Sequence, residues 1–327
     1  MEPSYAEAME LTAIGPDVYA LLQPDRGLGW SNSGLIARDG GLVVDTFWDL
    51  PRTQQAMDIY ADKLPAGPAR RVVNTHHNGD HCWGNKLYSE VGSEIIGHRR
   101  CAEFMAREDP ALLHQLSTMD AATLPAHLQA FAQALSAYDF SGVEICPPTT
   151  LIDDDGATLD VGGHEARLLS LGPAHTAGDV AVHLPDVGVV FTGDLLFNQC
   201  TPIGWEGTAV QWMSALDTLA ALGCDVVVPG HGPLATSDDL LAMRSYLGYV
   251  FDEARTHFEA GRTPLEASKR IELGPYAGWN EPERLAFNVH RAYRELRGGT
   301  WDEPVEIAAV WADIAALADH LRSSTTG

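Results

Sequence analysis

Four short apolar stretches of this chain are each followed at once by side chains that are common metal ligands. Apolar runs of this length are typical of buried strands, and the groups that follow them are imidazoles and carboxylates, which bind divalent metals. The stretches and the residues after them are 71–75 before His76, 168–171 before His175, 189–192 before Asp194 and 226–228 before His231. Chance does not readily repeat such a pattern four times, so the sequence predicts a metal site.

The densest of these groups is the run from His76 to His81, which holds three imidazoles, one carboxylate and one carboxamide. Gly79 permits a tight backbone turn, so several of these side chains can point to one place. Imidazole and carboxylate together suit zinc, manganese or iron. A solvated polar turn is the alternative interpretation, but it explains only this run and not its three counterparts.

The order and spacing of these residues resemble the signature of the metallo-β-lactamase superfamily, in which His-x-His-x-Asp-His precedes a distant His, an Asp and a final His. The resemblance covers roughly residues 10 to 235, and its matching positions are His76, Asp80, His81, His175, Asp194 and His231. Asn78 departs from the signature, which has a histidine there. The family implies an α/β fold of the αββα type, with two sheets face to face and helices outside.

The resemblance also implies two adjacent metal ions that share one water-derived nucleophile. The implied ligands are His76, Asn78 and His175 for the first metal, Asp80, His81 and His231 for the second, and Asp194 between the two. Asp80 is the implied catalytic residue, because it would orient the nucleophilic water and carry its proton to the leaving group.

Asn78 leaves three outcomes open for the first metal. A carboxamide is a neutral, hard oxygen donor and a weaker zinc ligand than imidazole. Asn78 binds through its oxygen, or the first metal is weak or absent, or manganese or iron takes the place of zinc. We therefore predict one or two divalent metals, with zinc favoured. His77 is an alternative ligand, but both of its neighbours point inward in the family pattern, so we expect it to point away.

The chain length allows one large domain with an appendage. We predict a metallo-β-lactamase domain over residues 1–235, in which strands alternate with helices, and a helical extension over residues 236–327 packed on it. Helical spacing of apolar residues at about 98–138 predicts a helical insertion within the domain. Such an insertion beside an active-site loop is either a substrate lid or a buttress for the sheet.

Composition argues against several classes of partner. The chain has 21 Lys and Arg against 45 Asp and Glu, a formal charge of −24, which repels phosphate backbones and opposes nucleic-acid binding. No apolar run approaches the roughly 18 residues that span a bilayer, and the N-terminus lacks the pattern of an export signal. Five scattered cysteines are typical of reduced thiols. We predict a cytoplasmic protein that binds neither nucleic acid nor membrane, with homodimerisation left open.

Aromatic residues near the predicted ligands favour an apolar, flat substrate. The candidates for substrate contact are Trp83, Phe197 and Trp205. His290 is a fourth candidate, because the C-terminal helices could place it over the cleft. Core packing explains each of these residues singly, so the indication lies in their number.

A narrower resemblance concerns the metallo-β-lactamase-fold cyclase/thioesterases of bacterial aromatic polyketide biosynthesis. The stretches that carry it are 30–34, 43–46, 80–85, 172–176, 201–202 and 283–285. It implies a hydrolase that uses a metal-activated water on a thioester or ester acyl bond, in a polyketide-like small molecule that is free or bound to a carrier protein. Two alternatives stay open: an oxidative enzyme with one or two irons, and a non-catalytic metal-binding protein.

Overall fold

Two facing β-sheets form the centre of the chain, in a computed structural model that describes residues 9–24, 26–304 and 306–325. The first sheet has seven strands that neighbour one another in sequence order. They are β1 (Glu10–Gly15), β2 (Val18–Leu22), β3 (Ser33–Ile36), β4 (Leu42–Val44), β5 (Arg71–Asn74), β6 (Glu94–His98) and β7 (Thr150–Ile152).

The second sheet has five strands in the order β12-β11-β10-β9-β8. They are β8 (Ala157–Val161), β9 (His164–Ser170), β10 (Val180–Leu184), β11 (Val189–Phe197) and β12 (Val226–His231). Hairpins join β8 to β11 in antiparallel pairs, whereas β12 runs parallel to β11. In the first sheet, β4 to β7 are likewise parallel. Parallel neighbours need long crossover connections, and most helices of the chain occupy those connections.

Helices lie around the two sheets, and several of them cover the outer faces. The helices are α1 (Leu50–Ala61), α2 (Gly79–Cys82), α3 (Asn85–Glu90), α4 (Arg99–Met105), α5 (Pro110–Thr118), α6 (Ala126–Leu135), α7 (Ala209–Ala221), α8 (Ser237–Glu259), α9 (Pro264–Ser268), α10 (Leu285–Leu296) and α11 (Ile307–Thr325). Tyr60 of α1 and Tyr88 of α3 pack on the first sheet, and Trp212 of α7 and Tyr246 of α8 belong to the core beside the second.

Apolar side chains from both sheets meet in the layer between them. Alternate strand residues point to opposite faces of a sheet, so the inward set comes from both sheets and includes Val44, Val73, Ile96, Val182, Val189 and Phe191. The predicted αββα sandwich is therefore confirmed, together with a C-terminal run of helices.

Several details differ from the sequence prediction. Strand β1 was not predicted, because its residues are only partly buried and its apolar signal is weak. The strand predicted at 189–192 continues to Phe197 as β11, with register irregularities on both sides of Gly193. The insertion at 98–138 contains α4, α5 and α6. In the described part of the chain, no helix combines the length and the apolar character needed to cross a membrane.

Candidate metal centre

The ends of four strands bring the predicted ligands to one edge of the sandwich. His76 lies two residues beyond β5, His175 follows β9, Asp194 lies in the bent second half of β11, and His231 is the last residue of β12. Two groups form there, one of His76, His175 and Asp194 and the other of Asp80, His81 and His231, and within each group the ligand atoms lie within 4.8 Å of one another.

The metal-loop backbone differs from the expected tight turn. Gly79 opens the short helix α2, so Asp80 and His81 sit on a helical turn. A Cβ at Gly79 would lie 2.6 Å from the ring of Trp83 and 2.7 Å from that of Trp48. Glycine is required here because two indole rings pack against the backbone, and the prediction that it supplies a tight turn was wrong.

Asp194 lies between the two groups and faces both. Its Oδ2 is 3.3 Å from His175 Nε2 and 3.7 Å from His76 Nε2. Its Oδ1 is 3.0 Å from His81 Nε2 and 3.4 Å from His231 Nε2. One carboxylate oxygen is therefore directed to each pair of imidazoles, which is the arrangement that a bridging ligand requires.

Each of the four imidazoles is held through Nδ1 and presents Nε2 to the centre. His175 Nδ1 is 2.6 Å from the Ile203 carbonyl, and His231 Nδ1 is 3.1 Å from the Trp30 carbonyl. A carbonyl can only accept, so Nδ1 carries a hydrogen in both rings, and Nε2 is the atom that can bind a metal when the ring is neutral. Outer hydrogen bonds of this kind orient metal-binding histidines.

Asp45 is the residue that orients His81 through Nδ1. Sequence reasoning did not single it out as a functional residue. Its Oδ2 is 3.0 Å from His81 Nδ1 and also accepts the Thr75 hydroxyl at 2.7 Å, while Oδ1 accepts the Thr75 backbone N–H at 2.7 Å. The same Thr75 hydroxyl lies 2.9 Å from His76 Nδ1. One buried carboxylate thus orients a histidine of each group. Its sequence signals are an Asp at the end of an apolar strand and its place in the stretch 43–46 of the narrower resemblance.

The protonation of the centre follows from burial and from the two carboxylates. Burial lowers the pKa of His175 to about 4 and takes that of His76 well below its usual value. Burial also acts to lower the pKa of His231, but the carboxylates of Asp194 and Asp80 outweigh it and raise that pKa to about 9. The first group therefore offers neutral imidazoles at pH 7, whereas His231 must release a proton to bind a cation.

Two unpartnered atoms show that a cation fits this donor set. His76 Nε2 and Asp194 Oδ1 are both buried, and neither makes a well-aligned hydrogen bond to a described residue, although His81 Nε2 lies 3.0 Å from Asp194 Oδ1. Buried polar groups of this kind carry a desolvation cost unless something binds them. A divalent metal in each group would satisfy both atoms, and imidazole and carboxylate are suitable donors for zinc.

Asn78 reaches the first group but makes an unusual contact there. Its Oδ1 lies 2.7 Å from His175 Nε2, which keeps its lone pair because Nδ1 holds the hydrogen. Two lone pairs at this separation repel unless a cation binds both or the amide rotates to present its NH₂. The structure therefore brings Asn78 to the position where the second histidine of the signature was expected. His77 belongs to neither group, and its ring packs on Phe104 at 5.2 Å.

A cavity of about 590 Å³ opens above the centre. Its floor includes Asn78, Asp80, His175, Asp194 and His231, and its walls are mainly apolar. The wall residues are Trp48 before α1, Trp83 in the metal loop, Leu112, Leu113, Leu116, Leu128 and Phe131 of the insertion, Phe197 at the end of β11, Ile203 and Trp205 in the loop after β11, and Ile307 and Trp311 of α11. Three of the four predicted substrate-contact residues, Trp83, Phe197 and Trp205, lie in this lining.

His290 does not lie in this cavity lining. Its Nε2 is 2.7 Å from Asp313 Oδ2, so the ring joins α10 to α11. The sequence suggested a place over the cleft because helical patterning alone does not tell which side of a helix faces the site.

The insertion does line the cavity: α5 and α6 contribute leucines and Phe131, whose ring lies 4.7 Å from Trp311 of α11.

Comparison with known proteins places the chain in a family. The family model of the Metallo-beta-lactamase superfamily matches residues 26–231. The chain is 24% identical over 306 residues to a linear primary-alkylsulfatase of Pseudomonas sp., covering 83% of this chain and 56% of that protein. It is 36% identical over 202 residues to a hydroxyacylglutathione hydrolase of Cereibacter sphaeroides, covering 61% of this chain and 62% of that protein.

Among solved structures, the fold is similar to that of the stereoselective inverting sec-alkylsulfatase Pisa1 from Pseudomonas sp., with a TM-score of 0.66 and 20% identity. That match covers 91% of this chain and 51% of the other. The chain therefore spans less than two thirds of the length of these relatives. Because the family model matches well over half of its length, this chain belongs to the metallo-beta-lactamase superfamily.

Proposed function

We propose that this protein is a metal-dependent hydrolase that acts on a thioester or ester acyl bond of an apolar, polyketide-like substrate. The observation that carries the proposal is the position of Asp194, with one oxygen facing each group of ligands, at the floor of an apolar cavity. The names of the two curated relatives support hydrolysis in general. The polyketide-like substrate is supported by the sequence motifs and by the aromatic cavity wall.

One or two divalent metals, with zinc favoured, would be held by His76, Asn78, His175, Asp80, His81, His231 and Asp194. When bound, they would lower the pKa of a water molecule and polarise the carbonyl to be attacked. Asp80 would handle the proton, and three observations support this role. Its side chain is 14% exposed, lines the cavity and has Oδ2 3.3 Å from His231 Nε2. It would accept a proton from the attacking water and return it to the leaving alcohol or thiol.

The cavity wall supports an apolar acyl group. Leu112 is 54% exposed and Ile307 is 42% exposed although both line the cavity, and exposed apolar surface of this kind is typical of a binding site. An apolar substrate would cover these side chains and would exclude water from the bond to be cleaved. The carrier-bound form of the substrate is part of the same proposal, with the cavity mouth as the entry point.

An oxidative activity is the second candidate, and the observation that favours it is Asn78. Its carboxamide oxygen, placed 2.7 Å from His175 Nε2, is a harder donor than imidazole and shifts the preference of the first group towards iron or manganese. Metal analysis of protein purified without added metal separates the two candidates. Zinc with thioester hydrolysis supports the first, and iron with dioxygen consumption supports the second.

The test of the site uses the variants His81→Ala and His231→Ala, with His183→Ala as the matched control. His183 is also a buried histidine but lies on β10 and belongs to neither group. We expect both site variants to lose about one metal equivalent and all hydrolysis of an N-acetylcysteamine thioester, because one imidazole is a main part of each tetrahedral donor set. The control variant should keep its full metal content and its hydrolytic activity. Full metal content and turnover in the site variants would refute the assignment.

A further inference from the structure

Glu108 is an acidic residue inside the apolar part of the cavity. It lies on the turn between α4 and α5, directly before Asp109, which caps α5, and it lines the cavity beside Trp83 and Leu112. Its Oε2 accepts a hydrogen bond from Trp83 Nε1–H. That bond fixes one oxygen of the carboxyl group against the metal-loop helix, and it leaves the rest of the group available to the cavity.

In the part of the chain that the structure describes, no cation balances this carboxyl group. Among the described residues, no Lys, Arg or His forms an ion pair with Glu108, whereas the nearby cavity-lining Arg284 is paired with Glu281. Burial raises the pKa of Glu108 to about 8. The Trp83 hydrogen bond opposes that rise, and the carboxylates of Asp80 and Glu206 add to it.

An unbalanced carboxyl group in apolar surroundings is expected to be the neutral acid, which has one O–H donor. The indole N–H of Trp83 can only donate, so it occupies an acceptor position and cannot receive the carboxyl proton. The O–H of Glu108 therefore needs an acceptor inside the cavity. When an apolar substrate displaces water from the cavity without supplying such an acceptor, the O–H carries the desolvation cost of an unmade hydrogen bond.

We propose that Glu108 is a specificity-determining residue whose carboxyl O–H donates a hydrogen bond to an oxygen atom on the apolar part of the substrate. The cavity would then prefer oxygenated aromatic acyl groups to plain hydrocarbon ones. This inference rests on the proposed function for the bond that is cleaved, but the recognition of the oxygen is a separate property. The apolar wall supplies affinity, and Glu108 distinguishes between substrates of similar size and shape.

The preference has a physical basis in the cost of leaving the acid unpaired. A site built to hydrogen-bond a substrate oxygen discriminates strongly against the analogue that lacks it, because the buried polar group then has no partner. A hydrocarbon pocket alone gives only a small preference between such analogues. We expect at least a tenfold preference, on the order expected from one buried hydrogen bond.

The experiment compares N-acetylcysteamine thioesters of 2-naphthoic acid and of its hydroxy-substituted positional isomers. In the wild-type protein, kcat/KM for the best hydroxy isomer should exceed that for the unsubstituted thioester by about tenfold or more. The variant Glu108→Gln should retain much of this ratio, because the amide N–H still donates. The variant Glu108→Leu should bring the ratio to about one. The matched control is Glu103→Gln, an exposed acid on α4, which should keep the wild-type ratio.

A purely structural role for the Trp83 to Glu108 bond gives a different result. Trp83→Phe removes that bond but keeps the acid, so it should preserve a preference that Glu108→Leu abolishes. If both variants change stability and leave the substrate ratio intact, Glu108 only joins the insertion to the metal loop and the proposal is overturned. A wild-type ratio near one overturns it too. So does a preference that disappears when the hydroxyl is methylated, because a methyl ether can accept from the neutral acid but cannot donate to an ionised carboxylate.

Binding of the free naphthoic acids separates this inference from the proposed function. Their affinities can be measured through quenching of tryptophan fluorescence, which needs no turnover. Absence of hydrolysis together with a hydroxy preference that Glu108→Leu removes would refute the proposed reaction but support the recognition role. Hydrolysis without any Glu108-dependent preference, in turnover and in binding, would leave the reaction standing and refute the recognition role.

Discussion

The variant Asp45→Asn tests how far an outer hydrogen bond controls the metal centre. Asp45 is buried and accepts three hydrogen bonds: Oδ2 faces the Thr75 hydroxyl and His81 Nδ1, and Oδ1 faces the Thr75 backbone N–H. Asparagine has nearly the same shape, but one of its two terminal atoms is an NH₂ group that cannot accept. At least one of the three donors must therefore lose its partner.

The two orientations of the new amide have different costs. If its NH₂ group faces the Thr75 backbone N–H, one charge-assisted hydrogen bond is replaced by two opposed donors, which costs about 2–3 kcal/mol of unfolding free energy. If the NH₂ group faces His81 Nδ1, that ring must place its hydrogen on Nε2, which then cannot bind a metal. The first outcome keeps the bond to His81 but loses the negative charge that raises its basicity, and the second removes His81 as a ligand, so both weaken the group of Asp80, His81 and His231. Loss of an outer partner typically costs 10–100-fold in metal affinity, or about 1.4–2.7 kcal/mol.

The assay measures metal per chain in a series of chelator-buffered zinc concentrations, together with the thermal unfolding midpoint of the metal-free protein. Asp49→Asn is the matched control, because Asp49 is also fully buried and accepts three hydrogen bonds, from Arg52 N, Arg52 Nη1 and Asp139 N. Both variants should lower the unfolding midpoint, but only Asp45→Asn should weaken zinc binding. Equal zinc affinity in the two variants would refute the reasoning.

Two further predictions concern the first group of ligands. Asn78→His should raise the zinc content, because imidazole is the better zinc donor, and should lower native activity if the protein works with one metal or with iron. Unchanged zinc content would mean that residue 78 does not reach the metal. Higher zinc content with equal turnover would show that Asn78 is only a tolerated ligand. Arg291→Met removes hydrogen bonds from α10 to the Ala174 carbonyl at 2.8 Å and to the Gly207 carbonyl at 3.1 Å. The loop that carries His175 should therefore loosen, and one metal should be lost at a chelator concentration about tenfold lower than in the wild type. Cobalt absorption spectra would follow that loss, with the exposed Arg244→Met as control, and a spectrum equal to the wild type would contradict the positioning role of Arg291.

Much of the fold could be predicted from local pattern. Short apolar runs separated by turn residues predict most strands of both sheets, and helical spacing predicts the helical insertion and most of the C-terminal helices. These signals are local, because burial on one face of a strand or helix imposes a short repeat on the sequence. The order of ligand-type residues after the strands also lies in the sequence, so the candidate ligands could be named from it. That they bind metal stays a prediction.

Other features depended on residues that lie far apart in the chain. Asp45 and His81 are 36 positions apart, and Arg291 and Ala174 are 117 positions apart. The cavity wall likewise joins α5 and α6 of the insertion to α11 near the C-terminus. No repeat in the sequence encodes such pairs, because they form only when complete sheets and helices pack together.

Gly79 and His290 illustrate the same limit at single positions. The sequence shows a glycine in a polar run, but only the packed structure shows two indole rings against its backbone. The sequence likewise shows His290 on an amphipathic helix, but packing turns its ring towards Asp313 and away from the cavity. Glu108 is an ordinary acid in the sequence, and its significance arises when folding encloses it in apolar surroundings without a cation. The sequence alone thus determined the strands, helices and candidate ligands, whereas tertiary packing decided the outer hydrogen bonds and the cavity, because these depend on which surfaces meet.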